Sequence, residues 1–337
     1  MSAGKPAMKA VFGAMTIGKP GIEMTRVHTL EGTGALLDIL ITHGHAEVDS
    51  ARVYGQGSSE SYLGSLTPSW QDRGIVMATK LYPNKGKGMS PDEYSHTPAD
   101  LRRGLLDSLS ALKTDKLDMW YLHGPDRSVP FEDTLREVNK LHQEGYFARL
   151  GISNYQAWEV AQMCEICRAN GWIQPTVYQG LYNAFHRKVE EELVPCLRRY
   201  GIALYVFNPL AGGFLTSRYH RDQKEFAEGE RFDPKRWQGK LFHGRYWNDP
   251  MWEALEGLRP VAKKHGITEV QCALRWLAHH SALKKELGDA VIVGASGPQQ
   301  MEDNLAALEQ GPLPEDVVEA LDAGWAKTRA LPLKFWH

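Results

Sequence analysis

Short runs of β-branched and apolar residues recur along this chain. Each is separated from the next by a longer stretch in which apolar residues return every three or four positions. The runs fall at 10–14, 47–50, 75–80, 117–123, 148–153, 176–179, 202–208 and 290–294. The longer period predicts amphipathic helices over 29–42, 97–112, 131–144, 157–169 and 189–200. Leu101, Leu105, Leu109 and Leu112 share one such face. Gly145 and Gly201 punctuate the joints between helix and strand.

Strand alternating with helix means a parallel sheet. About eight such units predict a closed α/β architecture, a TIM-type (β/α)8 barrel. The alternative is an open doubly wound sheet, which carries a glycine-rich dinucleotide fingerprint after its first strand. Here the first run is followed by Met15-Thr16-Ile17-Gly18-Lys19-Pro20-Gly21, with no GxGxxG. The barrel is therefore expected, as one domain spanning 1–337.

One segment breaks the rhythm. From 211 to 250 the chain is polar and rich in Gly, Arg and aromatic residues, without a convincing strand. Long structureless loops are either functional or disordered. Phe232, Trp237, Phe242, Tyr246 and Trp247 argue for order. An ordered active-site loop is expected, with helices resuming near Trp252 and Thr268. A further helix is expected over 314–325, followed by a C-terminal tail over 326–337.

Composition narrows the function classes. With 42% hydrophobic and 24% charged residues and a net charge of −2, the chain has the balance of a globular protein. It shows no basic footprint for nucleic acid and no apolar run of spanning length. Four cysteines and no recognisable signal segment lead us to expect a reducing, cytoplasmic setting. A homodimer is compatible with these numbers.

Barrel enzymes carry their chemistry at the carboxyl ends of the strands. The second run ends in Asp49, with Tyr54 in the loop beyond. The third ends in Lys80 and the fourth in His123. A lone carboxylate or lysine at a strand end is most often a structural ion pair, and a lone histidine a satisfied rim residue. All four on neighbouring strand ends point instead to proton transfer. Asp49 would hold Lys80 charged, and the ammonium would lower the phenol pKa from about 10. Tyr54 would then be a general acid for a developing alkoxide, with His123 either hydrogen-bonding the same oxygen or orienting a carbonyl.

With these residues in place the sequence resembles the aldo-keto reductases, (β/α)8 enzymes that reduce carbonyls with NADPH. The resemblance covers nearly the whole chain. It implies that Asp49, Tyr54, Lys80 and His123 are the catalytic tetrad. It implies that Ser153 and Asn154 of "GISNY", with Gln179 of "VYQGLYNA", hold the nicotinamide carboxamide. Phe207 would stack on the ring, and Asn208, Pro209, Leu210, Gly212 and Arg218 would line the pyrophosphate. Ser296, Gln300 and Asn304 of "VIVGASGPQQMEDN" would take the adenosine phosphate. Ser296 also reads as a helix N-cap, and helix N-termini bind phosphate. Stretches such as "NPLAGG" and "RWLAHH" resemble the aflatoxin-aldehyde and succinic-semialdehyde reductase branch. The implied cofactor is NADP(H) and the implied partner a small aldehyde or ketone.

The chain departs from that pattern in two places. Gln300 and Met301 stand where many relatives carry a basic residue for the 2′-phosphate. His337 stands where mammalian members of the branch end in an anion-binding arginine; the other such arginine corresponds to Arg245. Trp247 and Trp336 are expected to line an apolar substrate pocket. Cys164 and Cys167 form a CxxC within a helical pattern and have no second pair, so core packing is expected. His43, His45, His279 and His280 lack acidic or cysteine partners at ligand spacing, and no metal is expected. A second function class stays open, a cofactor-binding regulatory subunit resembling the β subunits of voltage-gated potassium channels, which keep the same tetrad.

Overall fold

The computed structural model of the protein describes residues 7–226 and 230–337. Eight parallel strands close into a barrel in sequence order. They are β1 (Lys9–Gly13), β2 (Glu47–Asp49), β3 (Val76–Leu81), β4 (Leu117–Leu122), β5 (Phe147–Ser153), β6 (Pro175–Leu181), β7 (Ala203–Phe207) and β8 (Ala290–Val293). Outside them lie α1 (Leu30–Thr42), α2 (Ser58–Gly64), α3 (Pro98–Leu112), α4 (Phe131–Gln143), α5 (Ala157–Asn170) and α6 (Leu193–Tyr200). The ring continues with α7 (Trp237–Tyr246), α8 (Asp249–Lys264), α9 (Glu269–His279), α10 (Pro298–Glu309) and α11 (Glu315–Thr328). No described helix is long and apolar enough to cross a membrane.

Strand residues alternate between two environments, as the pleat requires. Val11, Ala78, Met119, Tyr121, Val177, Tyr205, Ala290 and Ile292 fill the barrel interior. Their neighbours Phe12, Met77, Trp120, Leu122, Tyr178, Leu204, Val291 and Val293 point outward under the helices. Because both faces are buried, the strands read as apolar runs rather than alternating ones. Gly151 is needed for the interior packing. A Cβ there would lie 2.2 Å from the Tyr121 ring, so only glycine lets that ring cross the barrel.

The 211–250 segment differs from the loop expected of it. It contains α7, and its aromatics form a core of their own. Phe214 meets Trp252 at 4.7 Å between ring centroids, Tyr219 meets Phe232 at 4.9 Å, and Trp247 meets Trp252 at 4.9 Å. Trp247 therefore packs, partly buried, among the rings of this segment. Gly212 adopts a left-handed φ of 72°, and its missing side chain admits Phe242 of α7, which a Cβ would approach to 2.2 Å. After α11, which packs against α8, the chain runs back to the carboxyl end of the barrel.

Candidate active site

Asp49 closes β2 and pairs in register with Ala78 of β3. Main-chain bonds continue the ladder past the strand end: Ser50 N–H donates to Ala78 O at 2.8 Å, and Arg52 N–H to Lys80 O at 3.0 Å. This zipping sets Lys80 beside Asp49. Lys80 Nζ donates to Asp49 Oδ2 at 2.5 Å and to Ser50 O at 2.7 Å, and it is wholly buried. The buried carboxylate thus has the cation that desolvation demands.

A tight turn carries Tyr54 back over this pair. Gly55 and Gln56 both take left-handed φ angles, 54° and 53°. Arg52 braces the turn from below: it donates to Glu60 at 2.8 Å and to Asp92 at 2.9 Å, while Glu60 accepts from Thr79 of β3 at 2.6 Å. Lys80 Nζ lies 4.9 Å from the centre of the Tyr54 ring. His123, one residue beyond β4, meets Tyr54 edge-on at 5.7 Å. Among the described residues nothing hydrogen-bonds the Tyr54 hydroxyl, whose ring contacts are His123 and Lys80.

The electrostatics of the tetrad differ from the expectation in one respect. Burial pushes the Tyr54 phenol well above 10, and the Asp49 charge pushes it further. Lys80 does not overcome them, because its charge is largely spent on Asp49. Burial also pulls the Lys80 ammonium down from 10.5, with Asp49 opposing. His123 is held well below 6.5, first by burial and then by Lys80 and His337. At neutral pH the site therefore presents a protonated phenol and a neutral imidazole. That is the protonation state a donor to an alkoxide needs.

Around the tetrad the structure gathers the other expected residues. Asn154, at a φ of 65°, donates from Nδ2 to His123 O at 2.8 Å and to Ser153 Oγ at 2.9 Å. Gln179 of β6 reaches across the barrel mouth, and its Nε2 donates to Asp49 Oδ1 at 2.6 Å. Phe207 ends β7, half-buried on the barrel interior. Asn208 also takes a left-handed φ, 56°, and its carbonyl accepts from Ala211 N at 2.9 Å and Asn183 Nδ2 at 3.2 Å. Pro209, Leu210 and Gly212 continue that turn, with Gly213 N donating to Leu210 O at 2.8 Å.

Ser296 is not the N-cap expected of it. Gly297 holds the cap position of α10, and Ser296 instead donates from N and Oγ to Gln300 Oε1 at 2.7 and 2.9 Å. Gln300 thus turns its amide N–H2 outward. Asn304 Nδ2 donates to Gly294 O at 3.2 Å and ties α10 to the end of β8.

Two residues beside the site, Tyr82 and Arg231, escaped the sequence reading, whereas His337 and Arg245 were expected there. Tyr82, just past β3, stacks edge-on against His123 at 5.4 Å and meets His337 at 5.7 Å. His337 itself donates from its N–H to Asn154 O at 3.3 Å, and its carbonyl oxygen accepts from Arg127 at 3.1 Å. Arg231 faces the positive charges of Arg26 and Arg218, and burial together with that repulsion lowers its pKa. It lies 5.5 Å from the Phe242 ring centre, and Tyr219 also faces it. Arg245 is half-buried, 6.0 Å from the Tyr246 ring centre, and makes no ion pair among the described residues. Its charge helps keep the His186 and His337 imidazoles neutral, after burial in both cases. Arg231 lies in a long segment rich in basic residues, where one more arginine gives no signal of its own; Tyr82, an aromatic one residue past β3, does.

A sequence model of the aldo/keto reductase family matches residues 9–326. The chain belongs to the aldo/keto reductase family. It is 52% identical over 99% of its length to the aldo-keto reductase pigE of Monascus ruber, covering 98% of that protein. It is 42% identical to aldo-keto reductase family 7 member A3 of Homo sapiens, over 96% of this chain and 95% of the relative. It is 42% identical to aflatoxin B1 aldehyde reductase member 2 of Mus musculus, over 90% of this chain and 83% of the relative. The chain is accordingly an oxidoreductase of the branch that includes the aflatoxin-aldehyde reductases.

The described residues contain no group of three or more His, Cys, Asp or Glu placed to hold a metal ion. His43 does have acidic neighbours in space, Glu309 at 2.7 Å and Glu302 at 3.0 Å, supplied by α10 rather than by local spacing. Cys164 and Cys167 are free and buried, and burial pushes both thiols up to about 12. A residue pair so placed is packing material.

Proposed function

We propose that this chain reduces small and medium aldehydes, and some ketones, to alcohols with NADP(H), and that Tyr54 donates the proton. The observation that carries this is the Tyr54 hydroxyl, neutral and unpartnered, held between neutral His123 and the Lys80–Asp49 pair. The bound nicotinamide would supply a hydride to the carbonyl carbon. Tyr54 supplies the proton to the carbonyl oxygen, so one C=O becomes one CH–OH. His123 can donate a hydrogen bond to the same oxygen and fix its direction. Lys80 stabilises the phenolate that remains until solvent restores its proton.

The residues present fit such a cofactor. Ser153, Asn154 and Gln179 surround a place for an amide beside the tetrad. Arg26 and Arg218 repel Arg231, whose pKa is lowered first by burial and then by their charges. A polyphosphate chain would relieve that repulsion. Gln300 supports a 2′-phosphate through a hydrogen bond without adding charge, so the preference for NADPH over NADH is narrower than a basic residue would give. The four free thiols support a cytoplasmic setting.

The substrate reading rests on Arg245 and His337. Arg245 makes no ion pair among the described residues, so it is available to a carboxylate. His337 is kept neutral beside Tyr82 and adds no charge. Neutral aromatic aldehydes should therefore be preferred, with anionic aldehydes accepted through Arg245 alone. The test is kcat/KM for succinic semialdehyde and for an aromatic aldehyde, in wild type and Arg245→Ala. The expected result is roughly a tenfold loss or more, confined to the anionic substrate. Equal losses on both substrates would make Arg245 structural, and a wild-type preference for succinic semialdehyde would refute the role given to His337.

A further inference from the structure

Asp49 spends its two oxygens on two different donors. Oδ2 takes the Lys80 ammonium at 2.5 Å, and Oδ1 takes the Gln179 amide at 2.6 Å. β2 and β6 lie on opposite sides of the eight-stranded ring, so this bond spans the mouth of the barrel. Both residues are almost wholly buried, Asp49 at 3% exposure and Gln179 at 3%. The polarity of the bond is dictated by chemistry. A carboxylate paired to an ammonium only accepts, so Gln179 must present its N–H2 to Asp49. Its Oε1 then faces away, and no described group donates to it.

Ser153 lies beside Gln179 in the β5–β6 register. Its Oγ already accepts from Asn154 Nδ2 at 2.9 Å, which leaves its hydroxyl hydrogen to be given away. Side by side, the site thus offers one acceptor with no alternative role and one free donor. That is the complement of a primary carboxamide, whose N–H2 would meet Gln179 and whose C=O would meet Ser153.

We infer that Asp49 has a second task besides holding Lys80: through Gln179 it fixes which way round the nicotinamide carboxamide is bound. Gln179 is a positioning residue locked as an acceptor by a catalytic one. This rests on the reading of the site as a nicotinamide site. Tyr121, buried in the same part of the barrel interior, lies within reach of Gln179 and feels the charge of Asp49. Removing the Asp49 charge frees the glutamine amide to turn over and lose its preference for a donor.

The experiment compares dissociation constants of NADPH and of its 3-acetylpyridine analogue, in which a methyl ketone replaces the carboxamide and the N–H donor is gone. Quenching of tryptophan fluorescence reads both without turnover. Wild type should bind NADPH roughly tenfold more tightly than the analogue, as one buried hydrogen bond implies. Gln179→Met should bring that ratio close to one. Asp49→Asn should lower it by about threefold or more with Gln179 still present. Asp49→Ser, which keeps an acceptor for Lys80 but no charge, serves if Asp49→Asn fails to fold. A wild-type ratio retained in the Asp49 variants, with NADPH binding intact, overturns the inference and leaves the nicotinamide reading standing. Failure of wild type to bind either dinucleotide overturns both.

Discussion

At the scale of the residue, the account turns on a buried charge pair. Lys80 has no exposure and two partners, the Asp49 carboxylate and the Ser50 carbonyl. Burial favours the neutral amine, and Asp49 opposes it first, with a smaller contribution from Glu60. Asp49 is therefore the main support of the Lys80 charge. Asp49→Asn should lower kcat about as severely as Lys80→Met, because each variant leaves the phenolate without a nearby cation. Steady-state kcat for one aromatic aldehyde in the two variants checks this. A mild Asp49→Asn phenotype beside a severe Lys80→Met one would show that Lys80 keeps its proton unaided. The placement of Asp49, Tyr54, Lys80 and His123 was legible in the sequence because each sits at or just beyond a strand end, where period and position together pick it out. Their proton affinities were not legible. They depend on how much water the fold removes, and the pattern of apolar residues does not report that quantity.

At the scale of the element, the strands were read to within a few residues, since β-branched runs bounded by Gly or polar turns are a strong local signal. The misreadings have a common cause. Ser296 has the chemistry of an N-cap, but Gln300 one turn later offers its amide oxygen to both Ser296 donors and draws it out of the cap. The 211–250 segment has the composition of a loop, but its rings find one another in space and α7 forms on that platform. Trp247, expected at a pocket wall, packs with Tyr219, Phe226, Phe232 and Trp252. In each case a contact distant in the fold, or a side chain one turn away, outweighed local propensity. The turn that carries Tyr54 shows the same dependence. Its conformation is held by Arg52 against buried Glu60, and breaking such a buried pair costs roughly 3–5 kcal/mol.

At the scale of the whole molecule, the barrel brings strand ends from 49 to 179 into one mouth, and helices and loops seal it from the sides. Sealing has a cost in proton affinity elsewhere. His96 and His186 are buried, and burial pushes both imidazoles down to about 4. His186 has no hydrogen-bond partner for either ring nitrogen. In the unfolded chain each titrates near 6.5. Between those values the unfolded chain binds more protons, so stability is fully present above about pH 6.5 and falls as pH drops toward 4. The slope approaches about 1.4 kcal/mol per pH unit for each residue. Urea unfolding midpoints at pH 7 and about pH 5 should show that loss, and His186→Phe should reduce it; a midpoint unchanged across this range would contradict the burial argument. The central claim is chemical, and one measurement reaches it most directly. The rate of aldehyde reduction is compared between wild type and Tyr54→Phe, with NADPH affinity measured on the same samples. Loss of a placed general acid predicts a rate lower by roughly 10²–10⁴ with the dissociation constant little changed. Turnover near the wild-type rate in Tyr54→Phe would mean that another group delivers the proton.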